Sequence, residues 1–456
     1  MKYISTRSKE KEYSFGEVFL KGLADDGGLY VPKSINKYNS AELSKLKNLN
    51  YRELSSEIIS QFLGDFISRE ELSSLIKKSY STFREKEVVK LSNVGVTKLL
   101  ELYHGPTLAF KDVAMQFIGN LYDYHLSKND KKINIVVATS GDTGAAAIDA
   151  IKGKSNLNIF VLHPNNKISS VQRKIMTTVD DKNVFNIAID GNFDDCQNIV
   201  KQMFSDLEFS KSINMSGVNS INWARIIAQA VYYFYAHFKL EKDNISFSVP
   251  TGNFGDVFAG YLAKKMGLPI DKLIVATNEN DILHRAITKG DYISKEVRET
   301  LSPSMDIQLA SNFERLIYYV NNSNSEKTAE IMKKVKKNSY QIEKRDLDII
   351  QKDFLSESCN EKETLGIIKK NYEENGVVLD PHTAIGVGAA QKLSLNDCVV
   401  LSTAHPCKFP DATNNAINKH EKLPKELQHV LNKNENFQVL KNSTDEVKKF
   451  IKSKIL

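Results

Sequence analysis

The chain has 456 residues, 41% hydrophobic and 26% charged, as expected for a soluble globular protein large enough for two or three domains. Its 62 Lys and Arg residues exceed its 56 Asp and Glu residues by a net charge of +6 without forming a basic block, so we expect no nucleic-acid partner. The start lacks the apolar segment of an export signal, and no stretch is apolar for the ~18 residues of a membrane helix, so we expect a cytoplasmic protein with no membrane partner. Neither CxxC nor HExxH spacing occurs, so we expect no metal.

The N-terminal part is predicted to be mainly helical. Residues 40–83 place apolar side chains at three- and four-residue spacing, with a helix start at Ser68. They follow the turn-forming stretch GLADDGGLYVP, which occupies residues 22–32. We therefore assign residues 1–95 to a helical N-terminal domain.

The rest of the chain alternates between short β-branched runs and helical patterns. Strand patterns occur at residues 133–139, 157–163, 184–189, 245–250, 272–277 and 397–403. This alternation predicts an α/β fold in which two parallel-sheet lobes face each other across a cleft. We expect the first lobe at 96–220 and the second at 221–456, with a charged helical insertion at 322–375.

The segment YHGPTLAFKDVAMQF, residues 103–117, holds a single lysine, Lys111, among apolar and small residues. Burial lowers the pKa of an ammonium group, and the neutral amine then condenses with an aldehyde as a Schiff base. In the alternative interpretation, the stem of Lys111 is buried while its head reaches water and pairs with Asp112. The local sequence leaves both interpretations open.

Two glycine-rich turns follow predicted strands. They are SGDTG at 140–144 and TGNFGD at 251–256. At each, converging backbone N–H groups and a helix N-terminus can bind an anion. The first turn is alternatively an ordinary strand-to-helix turn with Asp142 near the cap. Neither turn is a P-loop, and no GxGxxG occurs for a dinucleotide.

A third group of polar residues, Ser220, Asn222 and Arg225, stands at the start of the apolar and aromatic helix pattern in NSINWARIIAQAVYYFYAHF. An arginine at the head of a buried helix requires an anionic partner. Considered alone, this pattern favours a protein carboxylate over a ligand.

Together these motifs resemble those of threonine synthases. HGPTLAFKD, SGDTG, NSINWAR, TGNFGD and STAHPCKF occur in the order of their counterparts in that family, and STRS, GLADDGGLYVP and SPSMDIQLASNFERLIYY are also similar. The resemblance runs nearly end to end and is greatest to the branch with an extended N-terminal domain. It implies a fold type II pyridoxal 5′-phosphate enzyme, similar in fold to the tryptophan synthase β-subunit.

The resemblance also implies a role for each motif. Lys111 would hold the cofactor aldehyde and later move protons, and Thr403 would hydrogen-bond the pyridine nitrogen. The cofactor phosphate would lie on Gly252, Asn253, Phe254, Gly255 and Asp256. Ser140 and Asp142 would line the cofactor ring, Ser140 and Thr143 would receive the substrate carboxylate, and Ser220, Asn222 and Arg225 would bind the substrate phosphate. Many relatives carry asparagine in place of Asp142. An ionised carboxylate cannot donate a hydrogen bond to the cofactor's phenolic oxygen, so either this carboxyl group is protonated or it points elsewhere.

The implied reaction converts O-phospho-L-homoserine and water to L-threonine and phosphate, the last step of threonine biosynthesis. It combines loss of phosphate from Cγ with addition of water at Cβ, and this requires a site for a γ-phosphate. One alternative is a phospho-lyase that releases 2-oxobutyrate, and others are a related dehydratase and a non-catalytic binding protein. The expected partner is the small-molecule substrate, and the expected state is a monomer or homodimer.

Overall fold

The computed structural model describes residues 1–395 and 397–455. Four capping boxes explain where the N-terminal helices begin. In each, an Asn or Ser side chain accepts from the backbone N–H of a Glu three residues later, and the side chain of that Glu accepts from the backbone N–H of the Asn or Ser. The elements of this part are β1 (Tyr3–Ser5), α1 (Phe15–Lys21), β2 (Tyr30–Pro32), α2 (Ser40–Leu46), α3 (Tyr51–Leu63) and α4 (Arg69–Ser79). β1 and β2 form a small antiparallel sheet, and the predicted helix start at Ser68 is confirmed.

The middle of the chain begins with a hairpin and a long buried helix, and then alternates between strands and helices. Its elements are β3 (Lys90–Val94), β4 (Thr97–Glu101), α5 (Lys111–Asn129), β5 (Ile133–Ala138), α6 (Asp142–Ile151), β6 (Leu157–Pro164), α7 (Ser170–Thr177), β7 (Val184–Asp190), α8 (Phe193–Ser205), α9 (Leu207–Ser212) and β8 (Met215–Ser216).

The remaining part opens with α10, whose residues are buried along nearly its whole length. Its elements are α10 (Trp223–Leu240), β9 (Ile245–Pro250), α11 (Gly255–Lys265), β10 (Ile270–Thr277), α12 (Ile282–Lys289), β11 (Asp291–Tyr292), α13 (Phe313–Val320), α14 (Ser325–Lys336), β12 (Tyr340–Gln341), α15 (Lys344–Asp353), β13 (Phe354–Ser358), α16 (Glu361–Asn375), α17 (Pro381–Lys392), β14 (Cys398–Ser402), α18 (Pro410–Ile417), β15 (Gln438–Lys441) and α19 (Thr444–Ile455). Single 3₁₀ segments lie at Pro303–Met305, Pro406–Lys408 and Lys425–Asn432.

Two larger sheets form the α/β lobes, as predicted. One has five parallel strands in the order β15-β7-β6-β5-β8. The other has six strands in the order β13-β10-β9-β14-β4-β3, all parallel except the β3–β4 hairpin at one edge.

The sheets are not contiguous in sequence, and this corrects the predicted domain boundaries. β4, predicted in the 96–220 lobe, pairs with β14 of the other lobe. The C-terminal β15 was predicted in the 221–456 lobe, but it pairs with β7. Residues 322–375 are largely helical, yet they contain β13, which extends the six-stranded sheet beside β10. Local patterns cannot reveal these pairings, because the pairing of strands is set by which strands lie side by side once the chain has folded.

The candidate site lies where parallel strands end. β4, β5, β9 and β14 run directly into the segments that hold Lys111, SGDTG, TGNFGD and Thr403. Ligands of open α/β sheets bind at such carboxyl ends. Within the described residues, no helix has the combined length and apolar character that crossing a bilayer requires.

Candidate active site

Lys111 is the first residue of α5, and its side chain is 9% exposed. Its Nζ lies 3.5 Å from Asp142 Oδ2 and 3.2 Å from Ser304 Oγ. Burial lowers the pKa of Lys111; the Asp142 carboxylate opposes this effect, and the charges of Lys408 and Arg225 add to it. The head of Lys111 therefore lies inside the protein, as the interpretation of a reactive amine requires.

Asp112 does not pair with Lys111 but holds the turn before it. The backbone N–H of Thr107 donates to Asp112 Oδ2 over 2.8 Å, and the Thr107 hydroxyl donates to Oδ1 over 2.6 Å. A Cβ on Gly105 would lie 2.3 Å from Cβ of Asp112, so only glycine fits there. Burial raises the pKa of Asp112 to about 6. Asp112 is thus a structural support for the loop that carries Lys111.

Thr403 follows β14 and is tied to the same loop. Its carbonyl accepts from the backbone N–H of Phe110 over 2.8 Å, and its own N–H donates to Thr383 Oγ1 over 3.3 Å. The first bond connects the end of β14 directly to the start of α5, and the second connects it to α17. Thr403 and Lys111 are therefore held in a fixed relation by backbone contacts.

The SGDTG turn is capped by Thr139, the residue before it. Thr139 Oγ1 accepts from the N–H groups of Gly141 and Gly144 over 3.0 and 2.9 Å. The N–H groups of residues 140, 142 and 143 have no acceptor among the described residues. Gly141 has φ 136°, and a Cβ there would lie 2.7 Å from Gln172 Nε2. The turn therefore presents free donors, and Asp142 is not its cap.

Asp142 faces two lysines. Its Oδ1 accepts from Lys408 Nζ over 2.6 Å and from Gln172 Nε2 over 2.9 Å, while Oδ2 faces Lys111. Burial works to raise the pKa of Asp142, but the charges of Lys408 and Lys111 outweigh it and hold this pKa well below its usual range. Asp142 is therefore ionised, and it is directed at Lys111 and Lys408.

The TGNFGD turn forms a second set of free donors. The N–H groups of residues 252–256 have no acceptor among the described residues. Phe254 adopts a left-handed conformation with φ 63°, and a Cβ on Gly252 would lie 2.4 Å from the carbonyl oxygen of Ser304. This backbone arrangement, opening α11, suits a phosphate group.

The Asp256 carboxylate is not part of that donor set. Its Oδ1 accepts from the hydroxyl groups of Tyr232 and Tyr233 on α10. Burial raises the pKa of Asp256 to about 6. Asp256 can therefore serve an anion only through its backbone N–H, while its side chain anchors α11 to α10.

Arg225 has no carboxylate partner. It is 4% exposed, no described carboxylate lies within 4.0 Å of its guanidinium group, and its Nε has no hydrogen-bond acceptor. Its Nη1 makes only a long bond of 3.5 Å to the carbonyl of Val218. Burial lowers the pKa of Arg225 to about 10. The expectation of a protein carboxylate was wrong, and the alternative of a ligand anion remains.

The neighbours of Arg225 differ in availability. Asn222 caps α10 by accepting from the N–H of Ala224 over 3.0 Å, and its Nδ2 donates to the carbonyl of Phe19 over 2.9 Å. Both polar ends of Asn222 are thus engaged by the protein, which argues against the predicted contact with substrate. Ser220, in the loop before α10, is partly buried. Its carbonyl accepts from Asn312 Nδ2 over 3.1 Å.

Comparison with known proteins agrees with this geometry. The family models described as "Threonine synthase N terminus", "Pyridoxal-phosphate dependent enzyme" and "Threonine synthase, C-terminal" match residues 2–80, 84–403 and 383–451. The chain is 44% identical to the threonine synthase of Pseudomonas aeruginosa, over 99% of this chain and 98% of that one. It is 45% identical to that of Saccharomyces cerevisiae, over 94% and 93%.

The chain belongs to the threonine synthase family. A crystal structure of a threonine synthase from Brucella melitensis, described as bound to pyridoxal phosphate, superposes with a TM-score of 0.96 at 43% identity, covering 100% of this chain and 99% of that one. The predicted fold type, the enzyme class and the cofactor pyridoxal 5′-phosphate are thereby confirmed.

The residues present fit the cofactor of a threonine synthase. Pyridoxal phosphate requires an amine for its aldehyde and a set of donors for its phosphate. Lys111 supplies a buried amine with a lowered pKa, and the five free N–H groups of residues 252–256 supply the donors. The close approach of Ser304 to Gly252 and to Lys111 places these two parts of the site beside each other.

Several residues of this threonine synthase site were missed from the sequence. Ser304 contacts Lys111, and its N–H donates to His382 Nε2 over 3.3 Å. Asn312 Nδ2 donates to the carbonyls of both Asn253 and Ser220 over 3.1 Å, so it links the TGNFGD turn to the loop that precedes α10. Lys408 was also missed, although a single charge in the apolar run HPCKFP is the same signal that identified Lys111.

Proposed function

We propose that this chain converts O-phospho-L-homoserine and water to L-threonine and phosphate, with Lys111 as the residue that holds the cofactor and moves the substrate's protons. The observation that carries the proposal is the buried Nζ of Lys111, held between Asp142 and Ser304 beside two turns with free N–H donors. When bound, pyridoxal phosphate withdraws electrons from the substrate's Cα and so makes its proton acidic.

The anionic groups are assigned to separate parts of the site. The N–H groups of residues 252–256 would hold the cofactor phosphate, and the hydroxyl group of Thr403 would hydrogen-bond the pyridine nitrogen. Free N–H groups of the SGDTG turn, with the hydroxyls of Ser140 and Thr143, bind the substrate carboxylate. Two donor sets of this kind keep the reacting carbon atoms in a fixed orientation.

Arg225 is assigned to the substrate phosphate. Its guanidinium group is buried and lacks a carboxylate, and its planar donors match phosphate geometry. Ser220 lies in the same loop and adds a hydroxyl group. Asn222 is assigned to orienting Arg225, since it caps the helix on which Arg225 lies. This separate phosphate site is what loss of phosphate from Cγ requires.

Lys111 Nζ accepts the proton from Cα once the substrate amine has replaced it. A second proton leaves Cβ as phosphate departs from Cγ, and a proton is then delivered to Cγ. Water adds its hydroxyl group to Cβ and gives its remaining proton to the released phosphate, and Lys111 returns the first proton to Cα. An amine whose pKa is lowered by burial suits these transfers, because it gives up its proton more readily than an exposed lysine does.

The test is to incubate the purified protein with O-phospho-L-homoserine and to quantify four products. Equimolar L-threonine and phosphate are expected. Phosphate with 2-oxobutyrate and ammonia, without threonine, would assign the chain to phospho-lyase chemistry instead. No product and no visible absorption after addition of pyridoxal phosphate would contradict both assignments.

A further inference from the structure

Lys408 is a second lysine at the heart of the site, and the reaction outlined above does not use it. Its side chain is fully buried. Its Nζ donates to Asp142 Oδ1 over 2.6 Å and to the carbonyl of Thr107 over 2.8 Å. Its own carbonyl accepts from the hydroxyl of Ser169 over 2.9 Å. Both ends of this residue are therefore anchored.

The two oxygens of Asp142 are occupied unequally. Oδ1 receives close bonds from Lys408 and Gln172, while Oδ2 faces Lys111 at the longer distance of 3.5 Å. Because Lys408 already neutralises this carboxylate, Asp142 attracts a proton to Lys111 less than a lone carboxylate at the same place would. The charge of Lys408 also repels a positive charge on Lys111 directly.

We propose that Lys408 is a positioning residue that holds Asp142 ionised and engages its Oδ1, so that Asp142 faces Lys111 only through the more distant Oδ2 and the nitrogen of Lys111 stays free to accept a proton. This inference rests on the proposed role of Lys111. It assigns to the buried pair of Lys408 and Asp142 a chemical task, which a purely structural ion pair would not have.

Other charged groups lie near Lys111 and Lys408. Lys111 is also influenced by Arg225 on α10 and lies near Asp256 on α11. Lys408 lies near Asp112 on α5 and His405 beside it. These groups remain in every variant below, so a change in pH dependence reports on Lys408 and Asp142.

The experiment measures the pH midpoint of the visible absorption change of the full chain loaded with pyridoxal phosphate, which reports protonation of the Lys111 nitrogen. Lys408→Met should raise this midpoint by about 1 pH unit or more, the effect typical of losing a close charge. The kcat should fall at low pH and recover at higher pH by a matching shift. Lys408→Arg, which keeps the charge, should restore the midpoint.

A double-mutant cycle with Asp142→Asn tests whether Lys408 shifts the pH midpoint through the Asp142 carboxylate. In that background, Lys408→Met should shift the midpoint by less than half as much. The double variant also buries no unpaired charge, so it remains informative if Lys408→Met alone does not fold. Lys448→Met is the matched control, because Lys448 makes an ion pair of the same 2.6 Å length with Asp206 on the surface. It should leave the midpoint unchanged.

Two results would overturn the inference. One is a midpoint unmoved in both Lys408→Met and the cycle, with kcat lowered equally at all pH values. The other is an equal shift with and without Asp142. Borohydride reduction of the wild-type protein separates these from failure of the underlying assignment: if Lys111 is not the residue modified, the role proposed for it falls, and this inference falls with it.

Discussion

Replacing Arg225 should change activity and stability in opposite directions. Arg225 is 4% exposed and lacks a carboxylate within 4.0 Å. If its partner is the substrate phosphate, Arg225→Met removes a buried charged hydrogen-bonding group, which costs about 3 kcal/mol of substrate binding. This corresponds to a loss of roughly 100-fold in kcat/KM. The affinity for pyridoxal phosphate should change much less.

The same substitution should stabilise the protein in the absence of substrate. Burial lowers the pKa of Arg225 to about 10. Holding this charge therefore costs folding free energy, of which we expect about 1 to 3 kcal/mol to be regained when methionine fills the space. Such an exchange of stability for function is common at binding sites.

The assay combines steady-state kinetics with thermal unfolding of the protein without substrate. Arg225→Lys keeps the charge but not the planar guanidinium group with its paired N–H donors, and should recover only part of kcat/KM. Arg173→Met removes an arginine that is paired with Glu435 at 2.7 Å, and should leave kcat/KM unchanged while lowering stability slightly. An unchanged KM for O-phospho-L-homoserine in Arg225→Met, or a clear loss of stability, would refute the reasoning.

Three further changes follow from the site. Lys111→Ala should abolish turnover and borohydride labelling at this position; near-normal activity would contradict its role. Asn312→Ala removes the amide that bridges the carbonyls of Asn253 and Ser220, and should weaken cofactor affinity about 10-fold by loss of one to two hydrogen bonds. A titration with pyridoxal phosphate, followed by visible absorption, measures this affinity. An unchanged Kd for pyridoxal phosphate would exclude the bridging role. Burial raises the pKa of Asp256 to about 6, compared with about 3.9 in an unfolded chain. The folded state therefore binds more protons between these values, and the contribution of Asp256 to stability falls as pH rises through this window. Asp256→Asn should flatten the thermal unfolding midpoint between pH 4 and 6.5, and an unaltered pH slope would count against a raised pKa.

Short-range signals in the sequence pointed to several elements of the candidate site. Lys111 and the two glycine-rich turns were identified because a lone charge among apolar residues and a glycine turn after a strand are short-range signals. The parallel α/β lobes followed from the alternation of strands and helices. The order of motifs then connected these elements to the threonine synthase family, which the comparisons confirmed.

Charge states and partners needed the assembled structure. In the sequence, Asp142 was either protonated or directed elsewhere; in the structure the charges of Lys408, from the far end of the chain, and Lys111 keep it ionised. Arg225 looked more suited to a protein carboxylate, but the described residues place none within 4.0 Å of its guanidinium group. Asn222 looked like a ligand donor, but it caps α10 and bonds to Phe19.

The sequence therefore identified Lys111 and the strand-to-loop junctions around it as candidates, because backbone turns and local polarity depend on neighbouring residues. Tertiary structure decided which sheets β4 and β15 join, and it decided the link through Asn312 between the TGNFGD turn and the loop before α10. It also decided the pairing of Lys408 with Asp142 beside Lys111. The physical reason is that the energy of a buried charge depends on the distances to other charges, and these distances exist only after the chain has folded.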